Sequence, residues 1–140
     1  MARPALSRRG FALLGAGAVL FGGGSAWGGT YLNRAAVLLA GATREAAYLR
    51  ARIADRELAG VVHRLAQARV AAAGAMTVPK EVAQAHPHLL LVLENYEQAS
   101  DAATRGEADR FTMLFQRAQD EERTFRAVIK SLGWLVPDSP

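Results

Sequence analysis

Residues 107–132 read EADRFTMLFQRAQDEERTFRAVIKSL, and the spacing of the apolar side chains in this stretch decides the fold class. Phe111, Phe115, Ala118, Glu122, Phe125, Ile129 and Leu132 recur at steps of 4, 3, 4, 3, 4 and 3, which draws one stripe down an α-helix. Gly106 precedes the stretch and Gly133 follows it, each where a helix is expected to stop. A helix with such a stripe needs cover from the rest of the chain. One carboxylate, Glu122, interrupts the stripe near its centre.

The neighbouring segment supplies a partner. Leu89, Val92, Leu93, Tyr96, Ala99 and Ala103 form a second stripe, opened by Pro87 in a first helical turn and closed by Arg105-Gly106. The tight turn predicts an antiparallel hairpin, with Trp134 folding back on Ile129 in a Schellman closure. In that hairpin, residues whose numbers sum to about 211 face each other, given the turn at Gly106.

Upstream, Tyr31 to Ala73 carries one long helical pattern. Ala35, Leu39, Ala42, Ala46, Leu49 and Ile53 lead, and after a slip of one residue Leu58, Val61, Leu65, Ala68 and Ala72 resume. A continuous helix of these 43 residues would span about 65 Å, against about 39 Å for residues 107–132. The mismatch predicts either a break, best placed near Gly41, or a first half that projects and offers its Ala-rich stripe, Tyr31 to Ile53, to a partner or a second copy. The expected fold is all-α: a helical bundle of one long helix plus a C-terminal antiparallel helical hairpin, spanning residues 29–140.

Composition sets further bounds. The 140 residues include no Cys, which excludes disulfides, a thiolate nucleophile, Cys-held iron–sulfur clusters and covalently attached c-type haem. Hydrophobic residues make up 51% but aromatics only 7%, so the core is thin and Ala-rich. The formal charge of +4 is no argument for nucleic acid, because Arg3, Arg8 and Arg9 sit in the first nine residues. The remainder is uneven: residues 31–73 carry seven Arg against three acids, whereas residues 74–140 carry seven basic and ten acidic residues. This asymmetry suits internal matching, and it also suits a basic strip facing an anionic surface.

Residues 1–28 read as a targeting segment. Ser7-Arg8-Arg9-Gly10-Phe11 precedes the apolar run Phe11 to Phe21, and Gly22 to Gly28 ends it with small residues around Trp27. This stretch resembles the leader of the twin-arginine translocation family, Ser/Thr-Arg-Arg-x-Phe-Leu-Lys, at Ser7, Arg8, Arg9 and Phe11; Ala12 and Leu13 depart from it. The resemblance implies recognition by the twin-arginine translocon and export in a folded state to the periplasm. The alternative for residues 10–28 is a retained membrane anchor, for which eight glycines in the 20 residues from Gly10 to Gly29 are a poor composition.

Few residues carry a chemical signal. Buried carboxylates need partners, and the hairpin register sets Glu122 within a turn of His86. The pair, with His63 on the long helix, forms a candidate buried polar or metal site. The simpler reading pairs Glu122 with Arg126 or Arg123 on its own helix. A b-type haem could draw on His63 or His86 with Met76 or Met113. No Glu is followed three residues later by His, so the di-iron bundle motif is absent, and Glu94, Glu97 and Asp101 read as a solvated face. No catalytic triad spacing or phosphate loop exists. The expected function is therefore an exported, non-catalytic accessory or interaction protein of the bacterial envelope, needing no cofactor and with membrane association possible. The rival is a small metal- or haem-binding bundle in the periplasm.

Overall fold

The structure, a computed structural model, describes residues 30–138. Four helices account for most of them: α1 (30–51), α2 (Arg56–Gly74), α3 (His86–Thr104) and α4 (Ala108–Ser131). No strand occurs among the described residues. The all-helical bundle expected from the stripes is the observed class, but its architecture differs at the front.

The long helical pattern is two helices, not one, and the break is not at Gly41. It falls at residues 52–55, where the stripe slips by one residue. Two consecutive tight turns reverse the chain there, Arg52 N donating to Leu49 O and Asp55 N to Arg52 O, both at 2.9 Å. Asp55 then caps α2, its Oδ1 accepting from Leu58 N at 2.9 Å. The physical signals are local. Arg50 and Arg52 sit at the C-terminal end of α1 and Glu57 in the first turn of α2, each complementing the dipole at its end. A glycine inside a helix costs only about 1 kcal/mol against alanine, too little to end it. Gly41 instead makes room: a Cβ there would lie 2.7 Å from Arg69 Nη2. The bare backbone lets the Arg69 guanidinium lie across α1 and form a two-pronged ion pair with Glu45.

Folding back buries the stripe that a projecting helix would have exposed. Ala35, Leu39 and Leu49 are fully buried, and Ala42 and Ala46 nearly so. The Ala-rich stripe from Tyr31 to Ile53 is thus core, and it is not a surface for a partner or a second copy. Reversal also resolves the length mismatch, since each of the four helices now has a neighbour of similar length to cover it.

The C-terminal hairpin follows its predicted register. Tyr96 meets Phe115 edge-on with ring centroids 5.8 Å apart, and those two numbers sum to the expected 211. Both predicted glycine stops hold. Gly106 (φ +74°) closes α3 with Glu107 N on Ala102 O and Gly106 N on Ala103 O. Gly133 (φ +88°) closes α4 with Trp134 N on Ile129 O and Gly133 N on Lys130 O. These are Schellman pairs, and the positive φ is the reason glycine stands at both positions. At the end of the bundle away from Gly106, a single 3₁₀ turn at Lys80–Val82 leads into α3, with Val82 and Ala85 fully buried. Pro87 sits in the first turn of α3 as expected.

Candidate functional site

The three histidines do not converge. They lie on different helix seams, each with its own partner. His86 opens α3 and turns toward α1, where the Tyr31 hydroxyl lies 2.9 Å from its Nδ1 and the two rings meet edge-on at 5.7 Å. His63, on α2, reaches α3 at the Glu97 carbonyl (3.3 Å) and the Ser100 hydroxyl (3.4 Å), with the Glu97 carboxylate at 3.6 Å. His88 meets Glu121 of α4 at 3.1 Å.

The structure therefore does not bring His86, Glu122 and His63 together. The hairpin register was right, but residues two apart on a helix point to different sides. His88, not His86, faces α4, and it takes Glu121 rather than Glu122. Glu122 accepts from Arg126 Nη2 at 3.2 Å, the simpler of the two pairings read from the sequence. Among the described residues, no three His, Asp or Glu side chains are grouped to hold a metal ion. Because the Glu122–Arg126 pair lies at the surface, Glu122→Gln is expected to change the unfolding free energy by about 0–1 kcal/mol, measured by urea denaturation.

Burial shapes the chemistry of the seams. Tyr31 is almost fully buried, and desolvation pushes its pKa up to about 12. Burial lowers the pKa of His86, opposed by hydrogen bonding to the Ala73 backbone. The neutral Tyr31 hydroxyl can thus donate to a neutral imidazole. Deeper in the bundle, the hydroxyls of Thr43 on α1 and Tyr96 on α3 interact electrostatically, yet neither has a partner within hydrogen-bond geometry. Burial, ahead of the nearby Glu122 charge, raises the Tyr96 pKa, while Thr43 acts to lower it. A void of about 10 Å³, about room for one water molecule, lies between Leu93, Tyr96 and Phe111 and the facing residues of α1 and α2.

The outer side of the α1–α2 pair is a different kind of surface: the stripe expected to be covered, Val61, Leu65, Ala68 and Ala72, lies on it exposed, and Ala59, Val62, Ala66 and Ala73 form the buried face of α2 instead. Arg34, Val37, Gly41, Arg44 and Tyr48 step down α1 at intervals of 3, 4, 3 and 4, with Arg52 just past its end, and Val61, Leu65, Ala68 and Ala72 step down α2 at 4, 3 and 4. Val37 is 63% exposed, Tyr48 51%, Leu65 43% and Val61 41%, high values for large apolar groups. Arg34, Arg44, Arg52 and Arg64 are all exposed, and none forms an ion pair among the described residues. Arg52 stacks over the Tyr48 ring at 4.8 Å. By contrast, Arg105, Arg110, Arg123 and Arg126 on the α3–α4 side each pair with an acid three or four residues away. Between the start of α1 and the end of α2, Arg34, Val37, Leu38, Ala72, Ala75 and Met76 line an open apolar groove of about 420 Å³.

No protein-family profile matches the chain, and searches of curated proteins and of solved structures likewise find no match. The described residues define the class: an all-α bundle of four helices with a basic, partly apolar outer face. The export residues Ser7, Arg8, Arg9 and Phe11, and the anchor alternative for residues 10–28, lie outside the described residues. No helix among the described residues is long and apolar enough to cross a membrane.

Proposed function

We propose that this chain is an exported, non-catalytic interaction module of the bacterial envelope that docks through the outer face of α1 and α2. The observation that carries the reading is the set of unpaired arginines, Arg34, Arg44, Arg52 and Arg64, standing among exposed Val37, Tyr48, Val61 and Leu65. Val61 and Leu65 lie one turn apart on α2 and Val37 borders the groove, so apolar groups and unpaired arginines share one face. The buried Tyr31–Ile53 stripe no longer serves this role, so the basic side of the two helices takes it. Export rests on the leader, whose adjacent Arg8 and Arg9 resemble the twin-arginine signal. The metal or haem alternative receives no specific support, because each histidine is held at a separate helix seam.

Two measurements test the reading. Lysine at positions 8 and 9 keeps the charge and loses the planar guanidinium fork, so R8K/R9K is expected to stop export of the chain. Unchanged export would remove the twin-arginine assignment. For docking, a photo-crosslinking side chain at Tyr48 or Val61 should give adducts in intact cells. The same group at Leu91 or Met113, exposed on the α3–α4 side, should give few. Equal labelling at all four positions would refute a docking face on α1 and α2.

A further inference from the structure

From the charge and shape of the α1–α2 face, we infer that its partner is the surface of an anionic lipid bilayer; this rests on the docking reading above and names what docks. Charge complementarity comes first. Four exposed arginines without carboxylate partners lie on this face, while the arginines of α3 and α4 are largely neutralised within their own helices. Two such basic faces repel each other, which disfavours a symmetric pairing of two copies through them.

The open groove, at the end of α1 that leads to residues 1–29, favours a bilayer over an acidic protein. On this face Val37 is 63% and Tyr48 51% exposed, with Arg34 and Arg44 on the same side of α1 and Arg52 just past its end. Aliphatic groups and a tyrosine flanked by arginines suit the headgroup level of a membrane, where the apolar parts enter the acyl boundary and the guanidinium groups meet phosphate. The groove of about 420 Å³ is open and lined by Val37, Leu38, Ala72, Ala75 and Met76, with Arg34 at its edge. It can receive the upper part of an acyl chain while Arg34 holds the headgroup. The groove also lies on the first turns of α1, the end from which the chain continues into residues 1–29, whose export reading brings that end to a membrane.

The test uses the full chain and sedimentation with vesicles of phosphatidylcholine alone or with one-third phosphatidylglycerol. Three proteins are compared: the wild type, the triple variant R34E/R44E/R64E, and R117E/R123E/K130E, which makes the same change in net charge on α4. All six positions are exposed, and a thermal melt of each protein verifies folding. Residues 1–29 are common to all three, so any binding they contribute is shared and cancels in the comparison. The wild type is expected to prefer the anionic vesicles and to be released at 0.5 M salt. The α1–α2 variant should lose at least about 100-fold in partitioning, several-fold for each charge near the surface. The α4 variant should stay within a few-fold of the wild type.

Equal losses in both variants would overturn the inference, because binding would then follow net charge and not this face. Lack of preference for anionic vesicles would overturn it as well. So would vesicle-free self-association abolished by R34E/R44E/R64E, which would make the occupant a second copy. In either of the last two cases, protein adducts from the Tyr48 and Val61 crosslinkers would leave the docking reading standing; absence of adducts would remove both.

Discussion

Leu39→Ala is expected to lower the unfolding free energy by about 3 kcal/mol, within the range of about 2–5 kcal/mol for truncating a buried leucine. Leu39 is fully buried and lies on α1 between the small side chains of Ala35 and Ala42, so it carries much of the apolar volume that α1 places in the core. Had the first half of the sequence's long helix projected from the bundle, the same change would scarcely register. Val37→Ala, two residues away but 63% exposed, is the internal control and should stay within about 0.5 kcal/mol of the wild type. Urea denaturation of the three proteins measures both values. A Leu39→Ala loss no larger than the Val37→Ala loss would mean that α1 does not pack as described.

The second large effect is expected at the Tyr31–His86 contact. Removing the imidazole in His86→Ala leaves the Tyr31 hydroxyl, in a residue 2% exposed, without its partner, at a cost of about 1–3 kcal/mol. Tyr31→Phe leaves only a half-buried imidazole nitrogen, which water can reach, so its cost should be smaller. Because the two side chains touch, the double variant should cost less than the sum of the single changes.

The pH dependence gives a second readout of the same contact. Burial lowers the His86 pKa, so the folded state prefers the neutral imidazole more than the unfolded chain does. The unfolded chain then binds more protons near its own pKa of about 6.5, and stability rises with pH there. The His86 contribution is fully present above about pH 6.5 and is lost as pH falls through the lowered folded-state value. The groups facing the ring are the Tyr31 hydroxyl and the Ala73 backbone, neither of which changes charge in this window. A pairing of His86 with Glu122 would have produced the opposite slope. Unfolding at pH 5.5 and pH 8 is expected to show the wild type weaker at the lower pH, with His86→Ala losing part of that difference. A wild type more stable at pH 5.5 would contradict the burial argument.

Much of the site was legible in the sequence only as single residues. Glu122 stood out as a carboxylate in an apolar stripe, and its link to Arg126 four residues on is a property of one helix. The histidine seams were not legible, because a contact between α3 and α1 depends on how far each helix is rotated about its axis, and a numbering sum carries no rotation. One residue of rotation is about 100° on a helix, enough to turn His86 toward Tyr31 and give Glu121 to His88. The exposed arginines were visible as an uneven charge count, but their lack of partners and their place beside Val37 and Tyr48 were not.

What the sequence determined by itself is the local pattern of the C-terminal half; on α2 spacing misled, since Val61, Leu65, Ala68 and Ala72 are exposed and Ala59, Val62, Ala66 and Ala73 are buried. The stripes of α3 and α4, the two glycine closures at Gly106 and Gly133, Pro87 in a first turn and the Tyr96–Phe115 register all follow from 3.6 residues per turn and from the φ that glycine tolerates. Tertiary structure decided the remainder. The Asp55 cap and the one-residue slip were both present in the sequence, yet they are local terms of about 1 kcal/mol that compete with helix continuation at similar cost. The reversal at residues 52–55 wins because it buries Tyr31, Leu39 and Leu49 against the other three helices, a gain of about 1.5–3 kcal/mol for each large side chain that no local pattern reveals. That same packing turned the Ala-rich stripe inward and left the arginine side of α1 and α2 exposed.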